Sequence, residues 1–273
     1  SIPIITVRPS IVVPIWKEPI PGWFDNINGP MGILLAAGKG VSRSMHGNRE
    51  AVADFISVDI VADGILTLTS YAEQNGIPRN VYNLCAGKEL EMTWSEMIEM
   101  GRKITIEKVP FDLILWLPGG GMRNSWIVHY FMLVFTQLIP ALLVDLIVPF
   151  FGYKPFLWKV QMRILYSQSV LTYYTIHEWV FDNQQSLTSR QWLNETELAK
   201  YVLTAEGFDV EQYFTNAAMC TRRCILHEPD ENLPKAKRNM NIMFCVDKVC
   251  NILLKFLLAY LFYKWIVLRI WSW

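Results

Sequence analysis

Ile2-Pro3-Ile4-Ile5-Thr6-Val7, stopped by Arg8-Pro9-Ser10, is the stretch that sets the fold class. A short β-branched apolar run closed by a proline reads as a strand buried in a parallel sheet. The chain then repeats the alternation. A proline- and glycine-rich loop runs from Pro14 to Gly32, and a short helix follows from Met31 to Ala37. Ala53 to Ile56 reads as extended and Val58 to Tyr71 as a helix. Asn80 to Cys85 reads as another strand, and Thr93 or Ser95 is placed to cap a helix from Trp94 to Lys103. Strands alternating with helices predict an α/β fold with strands in a parallel sheet.

Beyond about Pro110 the pattern changes. Residues 111–151 are strongly apolar and aromatic, interrupted by Pro118 and the Gly119-Gly120-Gly121 hinge. Residues 157–215 mix polar and apolar positions at helical spacing, and Glu228 to Arg238 reads as a charged loop before a last apolar stretch. Trp126 to Phe151 is long enough to span a bilayer, which takes about 20 apolar residues. Pro140 and Pro149 argue instead for a kinked span, a membrane-dipping hairpin or a buried helix pair. Val249 to Trp273 is expected to be a membrane-contacting helix. Its Lys255 and Lys264 fall on opposite sides, and Trp265, Trp271 and Trp273 suit an interface.

Composition narrows the function. In 273 residues, Lys and Arg number 25 and Asp and Glu number 25, so the formal net charge is +0. A nucleic-acid binder gathers a basic excess on one face, and no such excess exists here. Hydrophobic residues make up 52% and charged residues 18%, with 14 Phe, 11 Tyr and 11 Trp. That balance points to a globular protein associated with a membrane. Five cysteines do not form a disulfide framework, and reduced thiols facing the cytosol are expected. The opening at Ser1, with neither Met nor a charged leader, reads as the interior of a longer chain.

Candidate chemical motifs are few. Gly32 to Gly40 has five residues between Gly32 and Gly38, and Gly40 follows Lys39 where a phosphate loop needs a hydroxyl. A helix C-cap with positive φ at Gly38 is the better reading. Cys220, Cys224 and His227 share a helical face but lack a fourth ligand and the tight pairing that zinc favours. Asp54, Asp59 and Asp63 are explained by capping and solvation as well as by catalysis. Asn194-Glu195-Thr196 is a glycosylation sequon that matters only in a lumen. No glycine-rich dinucleotide loop and no Tyr-x-x-x-Lys pair occur, so the stretch carries no complete catalytic constellation.

The residues of the opening half nevertheless form a pattern. Arg8-Pro9-Ser10-Ile11-Val12, Glu18-Pro19, Pro21-Gly22-Trp23, Asp25-Asn26 and Gly29-Pro30 resemble the alcohol-forming fatty acyl-CoA reductases. The likeness continues through Gly38-Lys39-Gly40, Arg43, Ala53-Asp54, Val58-Asp59 and Val81-Tyr82-Asn83. It extends to Gly152, Pro155, Trp179, Phe181, Phe208-Asp209 and Tyr213, where that family has its male-sterility domain. The aromatic content is most similar to insect members. One departure stands at Phe208-Asp209-Val210-Glu211, where the family commonly carries an Asp-Trp pair.

The resemblance implies the end of an extended short-chain dehydrogenase/reductase domain of Rossmann type over residues 1–109. It implies a helical reductase C-terminal domain over 110–240, including the apolar segment 126–151, and a membrane-associated helix over 241–273. It implies reduction of long-chain fatty acyl-CoA to fatty alcohol by NADPH, with the glycine-rich loop and the Tyr-x-x-x-Lys pair upstream of this stretch. A non-catalytic membrane scaffold on the same fold is the alternative. Pro9, Ser10, Ile11 and Val12 are the expected cofactor contacts, mostly through backbone groups. Trp23 and Phe24 are candidates for the acyl chain, and Arg43 for a CoA phosphate. Membrane lipid and a second copy of the chain are expected partners and nucleic acid is not. The expected location is the endoplasmic reticulum or peroxisome membrane, with the reductase domain facing the cytosol.

Overall fold

The computed structural model describes residues 4–75 and 81–270, with side chains over 4–74 and 81–265. The expected strand at 2–7 begins outside these residues, and regular pairing starts at Thr6. One extended segment carries both β1 (Thr6–Pro9) and β2 (Ile11–Val13), divided at Ser10. β1 pairs parallel with β5 (Val81–Leu84), and β2 pairs parallel with β4 (Phe55–Ser57). The 18-residue helix α2 (Val58–Asn75) joins β4 to β5, giving a βαβ unit. A third parallel pair joins β3 (Ser44–His46) to β6 (Gly121–Arg123). The parallel reading holds, but β1 is not a buried strand: Thr6, Arg8 and Pro9 are exposed. Among the described residues, β5 is the strand paired with β1.

Helices occupy most of the chain. α1 (Pro30–Gly38) starts on a proline, whose fixed φ and missing N–H suit a first turn. Its end corrects the capping expectation. Lys39 is the C-cap at φ −79°, and the left-handed residue is Gly40 at φ 69°. Gly40 is placed there by close approach, since a Cβ would lie 2.2 Å from the Trp116 carbonyl oxygen. α3 (Trp94–Glu107) opens with the expected cap. Thr93 accepts from the Glu96 amide, and Glu96 returns the bond to Thr93.

The apolar stretch is a continuous helical run rather than a broken one. α4 (Trp126–Leu133) passes through a π-helical turn at Val134–Leu138 into α5 (Ile139–Ile147), then a 3-10 turn at Val148–Phe151. Pro140 sits in the first turn of α5, where the wide turn before it absorbs the missing donor. α6 (Leu157–Ile176) returns and packs on α5. Asp145 closes the pair by accepting from the amides of Phe156, Leu157 and Trp158 at 2.7–3.0 Å. The short helices α7 (Gln184–Thr188) and α8 (Glu195–Lys200) follow, and then α9 (Val210–Cys220). The charged stretch expected as a loop is helical from Leu233: Asp230–Asn232 is one 3-10 turn, and Pro234 lies in the first turn of α10 (Leu233–Ile270).

Two cores hold these elements. One gathers Met45, Ala53, Phe55, Trp94, Met97 and Met122, with Leu171 of α6 and Phe214 of α9 packed against it. The other joins Ile56, Ile60, Leu68, Tyr82 and Leu84 to Val202, Ala205 and Phe208. Residues before and after position 110 therefore share both cores.

Candidate functional site

The break between β1 and β2 makes the site. Ser10 leaves the first pairing by donating its amide to the Leu84 carbonyl, and Ile11 enters the second by donating to the Asp54 carbonyl. The backbone donors of both residues are thus spent within the sheet. The Ser10 hydroxyl donates to Asp54 at 2.9 Å, and the same carboxylate accepts from the Ala86 amide at 3.1 Å. Asp54 is buried and fixes the Ser10 side chain in one orientation.

Over this point lies a cavity of about 330 Å³, lined by Pro9, Ser10, Ile11 and Asp54 on one side. Tyr173, Tyr174, Trp179 and Phe181 line the other side, from the end of α6 and the segment after it. That segment is tied down by Asn83, whose side chain donates to the Asp182 carbonyl at 3.1 Å, and by Asn183, which donates to the Cys85 carbonyl at 2.9 Å. The Cys85 thiol is pushed up to about 12 by burial, then by the charges of Asp54 and Asp182, so it takes no part as a nucleophile at neutral pH.

A second and larger hollow of about 660 Å³ lies between α1 and the middle of α6. Ile33, Leu35 and Ala36 face Val160, Ile164 and Leu171 across it, with Lys39 and Arg163 at its border. Lys39 is engaged by Glu228 at 2.6 Å, which ties α1 to the start of the C-terminal region.

The expected site residues separate in the structure. Pro9, Ser10 and Ile11 line the first cavity, whereas Val12 lies outside it and is exposed. Trp23 and Phe24 line neither space. Trp23 is part of a turn, accepting from the Ile15 amide and donating to the Ile20 carbonyl. Ile27, Asn28 and Gly29 of the same loop do line the larger hollow. Arg43 donates to the Leu117 carbonyl at 3.1 Å. Burial lowers its pKa despite the charge of Asp247.

The motifs set aside as structural have identifiable partners. Asp59 accepts from the amides of Trp16 and Lys17, and Asp63 from that of Val202 at 2.7 Å, so both pin loops rather than cap helices. The sulfurs of Cys220 and Cys224 are 3.3 Å apart, His227 lies beyond the π-helical turn Thr221–Ile225, and no metal-holding group occurs among the described residues. Asn194 is the N-cap of α8. Of the aromatic wall at 173–181, Trp179 and Phe181 entered the sequence analysis only as family positions and Tyr173 and Tyr174 only as part of a helical stretch, with no cavity expected of them.

Comparison with known proteins places both halves in one group. A male sterility protein model with an NAD-binding character matches residues 1–65, and a second male sterility protein model matches 136–228. Fatty acyl-CoA reductase 1 of Xenopus laevis is 32% identical over 240 residues, covering 87% of this chain and 46% of the relative. The Homo sapiens protein of the same name is 30% identical over 237 residues, covering 86% and 46%. A putative fatty acyl-CoA reductase of Drosophila melanogaster is 28% identical over 244 residues, covering 87% and 47%. The chain spans a little under half the length of the curated relatives it matches.

Proposed function

We propose that this chain, which belongs to the fatty acyl-CoA reductase family through its two male-sterility domains, is the C-terminal part of an enzyme reducing long-chain fatty acyl-CoA to fatty alcohol with NADPH. The observation that carries the reading is the placement of α6. Its last turn walls a small aromatic cavity over Ser10, and its preceding turns wall an apolar hollow against α1. A reductase of lipid thioesters needs this pairing: a site for a flat cofactor ring and an apolar space for a long chain.

The match to an NAD-binding family implies a nicotinamide cofactor. The residues over β1 fit one. Tyr173, Tyr174, Trp179 and Phe181 offer aromatic surface to a ring, and the Ser10 hydroxyl, whose O–H donates to Asp54, keeps lone pairs able to accept from a carboxamide N–H. Bound there, the cofactor supplies hydride. Pro9, Ser10 and Ile11 hold and orient it, through side chains in place of the spent backbone donors. The exposed β1 suits a sheet that continues onto further strands, where the Tyr and Lys of proton transfer belong in this reading.

In this reading the acyl chain lies between α1 and α6. Ile27, Asn28 and Gly29 of the proline- and glycine-rich loop border it, while Trp23 and Phe24, earlier in that loop, do not reach it. Arg43 is assigned to holding the 117–120 turn rather than to CoA. The protein sits on the endoplasmic reticulum or peroxisome membrane with its body in the cytosol. The support is one helical run among the described residues, Trp126–Phe151, long and apolar enough to enter a bilayer.

Photolysis of a fatty acyl-CoA bearing a terminal diazirine, followed by peptide mapping, tests the assignment. Labels within 27–42 and 160–171 are expected, and free palmitoyl-CoA suppresses them. Labels confined to other segments would remove the α1–α6 hollow from the account.

A further inference from the structure

The helical pair α4–α5 and α6 is built inside out. The buried positions of α6 are Leu157, Gln161, Gln168 and Thr175, three of them polar and spaced by seven residues along one stripe. All three bond the strand region beneath. Gln161 donates to the Val41 carbonyl at 2.9 Å, Gln168 to the Ser42 hydroxyl and the Ser44 carbonyl, and Thr175 to the His46 carbonyl at 3.2 Å. From the other arm, His129 meets the Ser44 hydroxyl at 3.0 Å, and Gln137 is buried beside it. The outward faces are the opposite. Phe131, Phe135, Leu143 and Leu146 are each more than half exposed, and Phe150 is 89% exposed. A water-facing helix places its residues the other way round.

We propose that this hairpin enters one leaflet of a lipid bilayer without crossing it, with α4–α5 foremost and α6 at headgroup level. The inference rests on the membrane reading above. It does not depend on the reductase chemistry.

Two observations select the leaflet over a crossing and over another protein. Segments on both sides of the run pack into one body: Asn83 of β5 bonds Asp182, Asp63 of α2 bonds Val202, and Glu89 accepts from the Ala205 amide. A single crossing would separate these partners by the ~30 Å of a hydrocarbon core. Beyond Ala141, no residue is buried until Leu157. Charge divides along the same line. The exposed outward face of α4–α5 is uncharged, whereas Lys154, Lys159 and Arg163 lie on the turn and on α6, interleaved with Trp158 and Tyr166. Cations and amphipathic aromatics at one level suit anionic headgroups. Arg163, Tyr166 and Val170 also border the α1–α6 hollow, so its mouth opens where the acyl chain of a membrane lipid would arrive.

The test uses the full-length protein with the exposed Cys224, Cys245 and Cys250 changed to Ser and one cysteine introduced for an environment-sensitive nitrobenzoxadiazole label. Leu146→Cys reports α5, Ser169→Cys reports α6, and Glu107→Cys serves as a water-facing control. With phosphatidylcholine–phosphatidylserine vesicles, the proposal expects blue-shifted emission at position 146, quenched several-fold better by acyl-chain doxyl lipid than by headgroup-labelled lipid. At position 169 the preference reverses, and position 107 is unaffected. In microsomes, Asn194 stays unglycosylated. Flotation with vesicles while position 146 remains in water overturns the hairpin and leaves the membrane reading standing. Failure to float at all overturns both. A glycan on Asn194, or a Leu146→Cys disulfide dimer that excludes lipid, overturns the proposal in favour of a crossing or of a second copy.

Discussion

The Gln168 side-chain amide donates to the Ser44 carbonyl at 3.2 Å across 124 residues of sequence, and to the Ser42 hydroxyl at the same distance. This contact seats α6 on the strand region and so holds Tyr173 and Tyr174, one to two turns further on, over Ser10. The cavity is therefore positioned from a distance by a buried glutamine that does not line it.

Replacing Gln168 with Leu keeps the volume but leaves the Ser44 carbonyl without one of its donors. We expect a loss of about 1–3 kcal/mol, the usual cost of a buried polar group left unpaired. Denaturant unfolding of the variant reads it directly. Cofactor affinity should fall together with stability, because the aromatic wall moves with α6.

The second buried polar feature is Arg222, with a fully buried side chain. It donates to the carbonyls of Pro110 and Pro229 and pairs with Asp112 at 2.7 Å and Glu228 at 3.0 Å. Arg222→Met takes one partner from each carboxylate, leaving Asp112 with Asn232 and Glu228 with Lys39, and a loss of about 1–3 kcal/mol is expected.

The same network predicts a pH dependence. Burial pushes the Asp112 carboxyl up, but hydrogen bonds from Arg222 and Asn232, with the Arg222 charge, outweigh it and leave the pKa below its ordinary value. A carboxyl depressed in the folded state stabilises above its unfolded pKa, about 3.9. That contribution is lost as pH falls through the lower folded value. Urea midpoints of wild type and Asp112→Asn should differ at pH 6 and converge as the pH drops below about 3.9. A constant gap would remove Asp112 from the stabilising set.

Gly40→Ala combines a left-handed backbone at φ 69° with a Cβ placed 2.2 Å from the Trp116 carbonyl oxygen. The conformational part alone costs about 1–2 kcal/mol, and the overlap adds to it. Thermal unfolding should show the variant less stable than Gly152→Ala, where φ is 81° but nothing lies within 4 Å.

Thiol reactivity gives an independent check on the packing. Cys85 and Cys220 are buried, with pKa values pushed up to about 12 and about 11, in each case by burial first. Cys224, Cys245 and Cys250 are exposed. Brief alkylation of the native protein at pH 8, followed by peptide mapping, should label the exposed three and spare Cys85 and Cys220.

Much of the scaffold was legible in the residues. Val58 to Tyr71 and Trp94 to Lys103 gave α2 and α3 because periodicity and a Thr93–Glu96 capping box act locally. Pro9, Ser10, Ile11 and Val12 came only from what the family resemblance implies, and the first three of them line the smaller cavity. The apolar run was harder, because a rule that points apolar faces inward orients α4–α6 backwards: the inward stripe is Gln161, Gln168 and Thr175. The Gln spacing was the available signal. At Pro140 the helix is preceded by a π-helical turn, Val134–Leu138, with Gln137 buried in it, and no local pattern announces that turn. The Asp54 hub and the wall of Tyr173, Tyr174, Trp179 and Phe181 form only when segments about 120 residues apart meet, and nothing local marks them.

The most direct measurement is product formation from palmitoyl-CoA and NADPH by the purified full-length protein, followed by mass spectrometry with the Ser10→Ala variant beside it. The account predicts hexadecanol, two NADPH oxidised per alcohol, and a raised KM for NADPH in the variant with its fold intact. NADPH left unoxidised and palmitoyl-CoA unchanged by the wild-type protein would contradict the reductase assignment.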